Sequence, residues 1–219
     1  MVSPAEMTLD ELRLALAPAV AEAAVFDGWS EAAVRSAAGL AGVNGDVAVL
    51  AYPGGAMDMI AAWIASVDAA MATAFPPERI AAMKVRERIG ALVRFRLDHM
   101  VGSEEALRRA LAIMAMPQNA PRAVALGWHS ADAMWRLAGD TATDYNHYTK
   151  RAILGSIYAA TLAVFVGDES AGKAETHAFL DRRIDGVMQF ERVKARWLSP
   201  QRESFSVTRF LGRLRYPAR

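Results

Sequence analysis

The side chains that could do acid–base or metal chemistry are few in this chain and widely spaced. There is no cysteine, and the four histidines form no HxxxH, HExxH or Glu-x-x-His pattern: His99, His129, His147 and His177. Asp181 follows His177 at helical spacing, but a closed metal site needs three or four ligands, so a surface contact is the better interpretation. We therefore expect no metal, no cofactor and no catalytic group.

The stretch Gly127–Arg151 has the greatest variety of aromatic and ionisable side chains. It contains two Trp, two Tyr, two His and the basic pair Lys150–Arg151. Its aromatics, Tyr145 to Tyr148, cluster at the start of a predicted helix. Exposed aromatics beside basic residues are typical of interaction surfaces. The alternative is a helix–loop–helix junction whose aspartates cap and whose aromatics fill the core, as we expect for Trp135 and Asp144.

Helix-favouring residues dominate the chain, and no stretch alternates with the period of two expected for a strand, so the sequence predicts an all-α protein. Thr8 with Glu11 predicts a capping box on the first helix, and Ser103 and Asp144 are predicted caps further on. One amphipathic helix is expected from Glu78 to about Val101. The predicted domains are a helix-turn-helix-like unit over 1–55, a helical bundle over 56–198, and a linker with a terminal helix over 199–219.

The formal net charge of +1 conceals two unequal parts of the chain. Residues 1–83 hold three basic and ten acidic residues, whereas the rest carries a net +8 that is densest after Arg192. The helix expected to read DNA bases, in NGDVAVLAY, has no Arg, Lys or Gln, and an acidic surface repels a polyanion. We expect a helix-turn-helix shape without nucleic-acid binding.

The uncharged helix after Asp144 has a wide apolar face that suits either core packing or an apolar ligand cavity, and the pattern alone leaves both open. The sequence predicts six lipid-binding residues on this helix and the one before it: Met134, Trp135, Leu154, Ile157, Tyr158 and Leu162.

The last segment, SFSVTRFLGRLRYPAR, places apolar residues at i, i+3, i+4 and i+7 with arginines on the other side. A short basic amphipathic helix of this kind suits an anionic lipid surface. A terminal helix packed back on the bundle is the alternative. The predicted membrane-binding residues are Val207, Arg209, Phe210, Leu211, Arg213 and Leu214.

Several motifs together resemble one known family. These are Pro117-Gln118-Asn119, Ala131 to Trp135, Gly139-Asp140, the stretch from Asp144 to Arg151, and Phe179 to Ile184. They resemble the ninth-numbered coenzyme Q (ubiquinone) biosynthesis protein family, whose fold is TetR-like, over roughly residues 8–197.

The resemblance implies a non-catalytic, dimeric, lipid-binding accessory protein. It implies an isoprenoid quinone intermediate or a phospholipid as ligand, and peripheral attachment to a membrane through the terminal helix. It also implies a partner, demethoxyubiquinone hydroxylase or a related quinone hydroxylase, bound through Asn146, His147, Tyr148, Lys150 and Arg151. His147 departs from the family pattern, which has Trp there, and this weakens the expected contact or indicates a different partner.

The beginning of the chain lacks a transit-peptide pattern, from which we expect a bacterial cytoplasmic protein on the cytoplasmic face of the inner membrane. The alternative function is that of a TetR-like transcription regulator with an apolar ligand.

Overall fold

The computed structural model describes residues 7–143 and 145–198, with side chains at all of these except 188 and 190–198. Within these residues every regular element is helical, which confirms the all-α prediction. The α-helices are α1 (Leu9–Asp27), α2 (Glu31–Leu40), α3 (Gly45–Leu50), α4 (Ala56–Ala74), α5 (Pro77–Ala81), α6 (Val85–Asp98), α7 (Glu104–Met114), α8 (Ala120–Leu137), α9 (Tyr145–Phe165) and α10 (Ala174–Leu198).

Contacts divide the chain into two compact units, Met1–Asp181 and Arg182–Arg219. The first unit holds α1 to α9 and the beginning of α10. The described part of the second unit is the remainder of α10. The predicted terminal helix lies outside the described residues.

Short α2 and α3 follow α1 in the arrangement expected of a helix-turn-helix unit. The capping box on α1 is confirmed, because the Thr8 backbone N–H donates to Glu11 Oε2 at 2.8 Å and the Glu11 N–H donates to Thr8 Oγ1 at 3.3 Å. Asn44 Oδ1 caps α3 by accepting from the first backbone N–H groups of that helix. Trp29 ties the unit to α7, since its indole N–H donates to the Ala106 carbonyl at 2.9 Å.

Two local predictions are wrong. The single helix expected from Glu78 to Val101 is broken between α5 and α6, where the Lys84 N–H donates to Glu87 Oε2 at 2.9 Å and Arg88 Nε donates to the Met83 carbonyl at 2.8 Å. These side chains satisfy backbone groups at a helix end, so the chain starts α6 anew. Ser103 holds the predicted N-cap position of α7, but its side chain makes no capping hydrogen bond. Asp144 lies outside the described residues.

Helix α4 runs through the interior of the bundle and packs against α1, α6, α7 and α8. Its length and composition also meet the requirements for a membrane-crossing helix. It buries Met59, Ile60, Trp63, Val67 and Met71, so core packing accounts for its apolar character.

The loop between α9 and α10 is organised around the buried carboxylate of Asp168. This carboxylate accepts hydrogen bonds from the backbone N–H and the hydroxyl of both Ser170 and Thr176, at 2.5–2.9 Å. Burial opposes ionisation of Asp168, but these four donors outweigh it and hold its pKa far below the usual range.

Candidate functional site

A cleft of about 170 Å³ opens between α4, α6, α7, α8 and α9. Most of its inner wall is buried, whereas Leu111, Met114, Ala123 and Gly127 are partly exposed and Ala159 is exposed at its rim. The remaining lining residues are mostly apolar: Ile60, Trp63, Ile64, Val67, Arg96, Met100, Leu107, Ala110, Leu126, Ser130, Gly155, Tyr158 and Leu162.

One buried charge stands at the floor of this cleft. The side chain of Arg96 is only 2% exposed, and its guanidinium is paired with Asp68 of α4. Arg96 Nε donates to the Tyr158 hydroxyl and Arg96 Nη2 to Ser130 Oγ, each at 3.1 Å. Burial raises the pKa of Asp68, which the positive charge of Arg96 opposes. The floor is thus a polar corner inside an apolar cavity.

The six predicted lipid-binding residues do not all reach this cleft. Tyr158 and Leu162 line it. Met134, Leu154 and Ile157 are buried elsewhere in the core and are absent from its lining. Trp135 is turned toward the start of α9, where its indole N–H donates to the Lys150 carbonyl at 3.0 Å. The apolar face of α9 is therefore shared between core and cavity.

A second feature is an open groove beside the start of α9, and an ion-pair network runs along it. The residues that line the groove are Arg136, Asp140, Thr141, Ala142, Thr143, His147, Tyr148 and Arg151. Arg151, with a side chain 2% exposed, donates from Nε to Asp132 at 2.5 Å and from Nη1 to Asp140 at 3.0 Å. Lys150 Nζ donates to Asp140 at 2.7 Å, and Arg136 Nε pairs with Asp132 at 2.7 Å. Burial opposes ionisation of both aspartates, but hydrogen bonds from the neighbouring cations hold each pKa below its usual range.

This network changes how the predicted partner-binding residues are interpreted. Arg151 is enclosed and joins α9 to α8 and the following loop, so we assign it to holding the groove in shape. Lys150 is partly exposed and committed to Asp140. His147 is half-buried, with Nδ1 3.0 Å from the Ala142 carbonyl, and Asn146 is exposed.

Aromatic side chains cover the surface next to the groove. Tyr148 is 62% exposed and Tyr145 is 78% exposed. Trp128 of α8 lies beside Tyr148, with ring centroids 6.1 Å apart, and Val124 one turn earlier is 72% exposed. The sequence placed Trp128 in the distinctive stretch Gly127–Arg151 but gave it no role, and Val124 lies outside that stretch. Their spacing of four on α8 was the available signal, but it did not show that this face meets Tyr148. We call Val124, Trp128, Tyr145 and Tyr148 the aromatic surface.

His177 and Asp181, the two residues of α10 considered for a metal site, each pair with a different residue. His177 Nε2 lies 3.2 Å from Asp98 Oδ1, and Asp181 pairs with Arg94. Among the described residues, no group of three or more His, Asp or Glu side chains is arranged to hold a metal ion.

The helix-turn-helix unit presents an acidic and apolar face. Arg35 of α2 is paired with Asp46 at 2.6 Å and lies 3.9 Å from Glu31. The exposed side chains near the turn include Leu40 and Leu50. The stretch NGDVAVLAY, which holds α3, offers no Arg, Lys or Gln side chain to a base edge.

The arrangement of helices is that of the TetR-like fold. The structure of a TetR transcriptional regulator from Nitrosomonas europaea superposes with a TM-score of 0.65 at 21% identity, covering 82% of this chain and 99% of that one. At this identity the similarity establishes the fold alone.

The sequence comparison is more specific. Residues 120–191, which span α8, α9 and most of α10, match the family model described as COQ9. Mitochondrial ubiquinone biosynthesis proteins named COQ9 are similar to this chain: that of Rattus norvegicus is 42% identical over 96 residues (44% of this chain, 31% of the relative), and that of Homo sapiens is 38% identical over 96 residues (44% and 30%). The relative in Drosophila melanogaster is 34% identical over 99 residues (45% and 30%).

The family resemblance expected from the sequence is thus confirmed, while the chain spans about a third of the length of these relatives. The predicted localisation in the bacterial cytoplasm is contradicted, because these relatives are named as mitochondrial proteins of eukaryotes.

Proposed function

We propose that this protein is a non-catalytic lipid-binding factor of ubiquinone biosynthesis that presents a membrane quinone intermediate to a hydroxylase. The names of the relatives that match α8 to α10 support the pathway. The observation that carries the binding role is the cleft, whose apolar lining surrounds one polar corner formed by Arg96, Ser130 and Tyr158. Apolar cavities with a few convergent polar groups are the usual form of small-molecule sites.

The aromatic surface supports the proposed contact with the hydroxylase. Interface energy is concentrated in a few large aromatic side chains, and Tyr148 and Trp128 form such a pair on an exposed face. The network of Arg151, Asp132 and Asp140 lies below them and fixes the start of α9 against α8. A partner would therefore meet a preformed surface, which lowers the entropic cost of association.

The non-catalytic role is supported by how the ionisable groups of the groove are used. Asp132, Asp140, Lys150 and Arg151 are all engaged with one another. Their mutual pairing gives these groups a role in holding the groove in shape. Attachment to a membrane through Val207 to Leu214 and dimerisation stay predictions, the first on residues outside the described part of the chain.

The lipid-binding role is tested by native mass spectrometry with lipid extraction of the purified full chain. We expect an isoprenoid quinone or a phospholipid to copurify. In Gly127→Leu the new side chain projects into the rim of the cleft, where an added Cβ meets no neighbour within 4 Å, so bound lipid should fall without unfolding.

Gly39→Leu is the matched control, since this helical glycine of α2 is also unobstructed but lies away from the cleft. Its bound lipid should equal that of the unaltered protein. A protein that is reproducibly empty, or equal occupancy in both variants, would refute binding in this cleft.

A TetR-like regulator is the second candidate function, and its fold is the observation that favours it. The pairing of Arg35 with Asp46 and the acidic balance of residues 1–83 count against DNA as a ligand. We expect no sequence-specific DNA affinity at moderate salt in a gel-shift assay with genomic fragments. Nanomolar, salt-resistant binding would favour the regulator instead.

A further inference from the structure

We propose that the outer face of α3 is a docking surface for a basic amphipathic helix of a protein partner. In a helix-turn-helix unit, the second helix of the motif is the one that enters the major groove of DNA. Here that helix contributes no residue to the lining of the cleft or to the aromatic surface, so it is separate from the sites of the proposed function.

The inner side of α3 is firmly packed. Ala48 is buried within the helix, and Ala51 and Tyr52 are buried directly after it. The Tyr52 hydroxyl donates to the Arg13 carbonyl at 2.8 Å, which ties this end of α3 to α1, and Asn44 caps the other end. The outer side of α3 is therefore held in a fixed position, which lowers the entropic cost of docking.

Apolar side chains line the outer side. Val43, Val47 and Leu50 follow one another at i, i+4 and i+7, the spacing that places residues on one face of a helix. Val47 and Leu50 are exposed and Val43 is partly exposed. Leu40, in the turn before them, is largely exposed as well. We call these four residues the α3 face, and exposed apolar residues grouped in this way are typical of protein contacts.

The charges around the α3 face favour a basic partner. The unit formed by α1 to α3 carries six acidic and two basic residues. Arg35 pairs with Asp46 of α3 at 2.6 Å and lies 3.9 Å from Glu31. Arg13 lies 3.3 Å from Asp10, so both cations are engaged, while the three carboxylate side chains stay largely exposed. Lysine or arginine residues of a partner would meet carboxylates here, whereas phosphate groups would be repelled.

A helix is the partner element that fits this shape. A peptide that adds a strand needs an exposed sheet edge, and every regular element among the described residues is helical. An amphipathic helix with cations beside its apolar face complements an apolar stripe bordered by carboxylates. A second copy that docked through the same face would oppose carboxylate to carboxylate, which is unfavourable.

The test measures binding of a fluorescent peptide to the full chain by fluorescence anisotropy. The probe is a synthetic helix of leucine and lysine whose leucines share one face. One control peptide has the same composition with its leucines scattered around the helix, and the other has glutamate in place of every lysine. We expect the probe to bind about tenfold more tightly than either control, because only the probe combines an apolar face with cations.

Two pairs of variants locate the binding. Leu50→Lys should weaken binding of the probe about tenfold, since it places a cation within the apolar stripe. Val101→Lys is the matched control, because it makes the same change of charge at a residue of similar exposure between α6 and α7, and its affinity should not change. Asp46→Asn should weaken the probe about threefold at low salt, whereas Glu78→Gln, at an exposed acidic residue of α5, should not.

Absence of binding, equal binding of the probe and the peptide with scattered leucines, or equal weakening by Leu50→Lys and Val101→Lys would overturn the inference. If deletion of Ser204–Arg219 made the probe bind about tenfold more tightly, the face would belong to this chain's own terminal segment. If Leu50→Lys dissociated a dimer, the face would belong to a second copy. Either of these results would overturn the assignment to a partner protein, and none of them bears on lipid binding in the cleft.

Discussion

Replacing Arg151 by Ala separates a structural role of this residue from a direct role in partner binding. The side chain is 2% exposed and donates to Asp132, to Asp140 and to the His147 carbonyl. The substitution removes all three contacts and leaves two largely buried carboxylates without their shared cation.

The cost is set by what remains around those carboxylates. Removing one partner of a buried ion pair costs about 3–5 kcal/mol of unfolding free energy. Asp132 keeps Arg136 and Asp140 keeps Lys150, so we expect a loss near the lower end, about 3 kcal/mol. Arg136→Ala is the matched control, since it removes another arginine from Asp132, and the side chain of Arg136 is 73% exposed. Its cost should stay below about 1 kcal/mol.

Urea unfolding followed by circular dichroism measures both values, and the pH dependence adds a second check. The pKa of Asp132 and of Asp140 is lowered in the folded protein. Their contribution to stability is therefore present above the unfolded pKa of about 4 and is lost as the pH falls through the folded values. The difference between the unaltered protein and Arg151→Ala should shrink below about pH 4.

The reasoning would be refuted if Arg151→Ala cost less than about 1 kcal/mol, or no more than Arg136→Ala. Such a result would show that this network does not stabilise the fold, and the structural role of Arg151 would be withdrawn.

The remaining predictions concern the aromatic surface, the α9–α10 loop and the terminal segment. Tyr148→Ala should weaken capture of an immobilised quinone hydroxylase about tenfold or more without lowering stability. Phe26→Ala, at an aromatic residue of α1 that is 84% exposed, should not weaken capture. Undiminished capture by Tyr148→Ala would remove Tyr148 from the interface. Asp168→Asn should lower the free energy of unfolding by about 2 kcal/mol at neutral pH. Because the folded pKa of Asp168 is lowered, this loss should decline as the pH falls below about 4. A pH-independent difference in urea unfolding would contradict this prediction. Deleting Ser204–Arg219 should leave the helical signal of the bundle in place and abolish co-sedimentation with anionic liposomes; unchanged co-sedimentation would show that the membrane contact lies elsewhere.

Local signals predicted most of the helices because they act over a few residues. Thr8 with Glu11 produces the capping box, and Asn44-Gly45 produces the turn before α3. The break between α5 and α6 was not predicted. The contacts that end the helix there are local, since Glu87 accepts from the Lys84 N–H and Arg88 donates to the Met83 carbonyl, and Arg88 in addition donates to the Ala138 carbonyl at the end of α8. The apolar periodicity of one helix does not predict a contact such as that between Arg88 and Ala138, which lie 50 residues apart in the sequence.

The sequence by itself determined the all-α class, the acidic helix-turn-helix unit and the resemblance carried by α8 and α9, because composition, periodicity and short motifs are local properties. Only the tertiary structure decided which residues of α9 meet the cleft and which the core. It also showed that Arg151 is buried whereas Tyr148 is exposed, and it brought Arg96 to Ser130 and Tyr158 from three different helices. Those outcomes depend on how helices pack against one another, and the periodicity of a single helix cannot specify its neighbours.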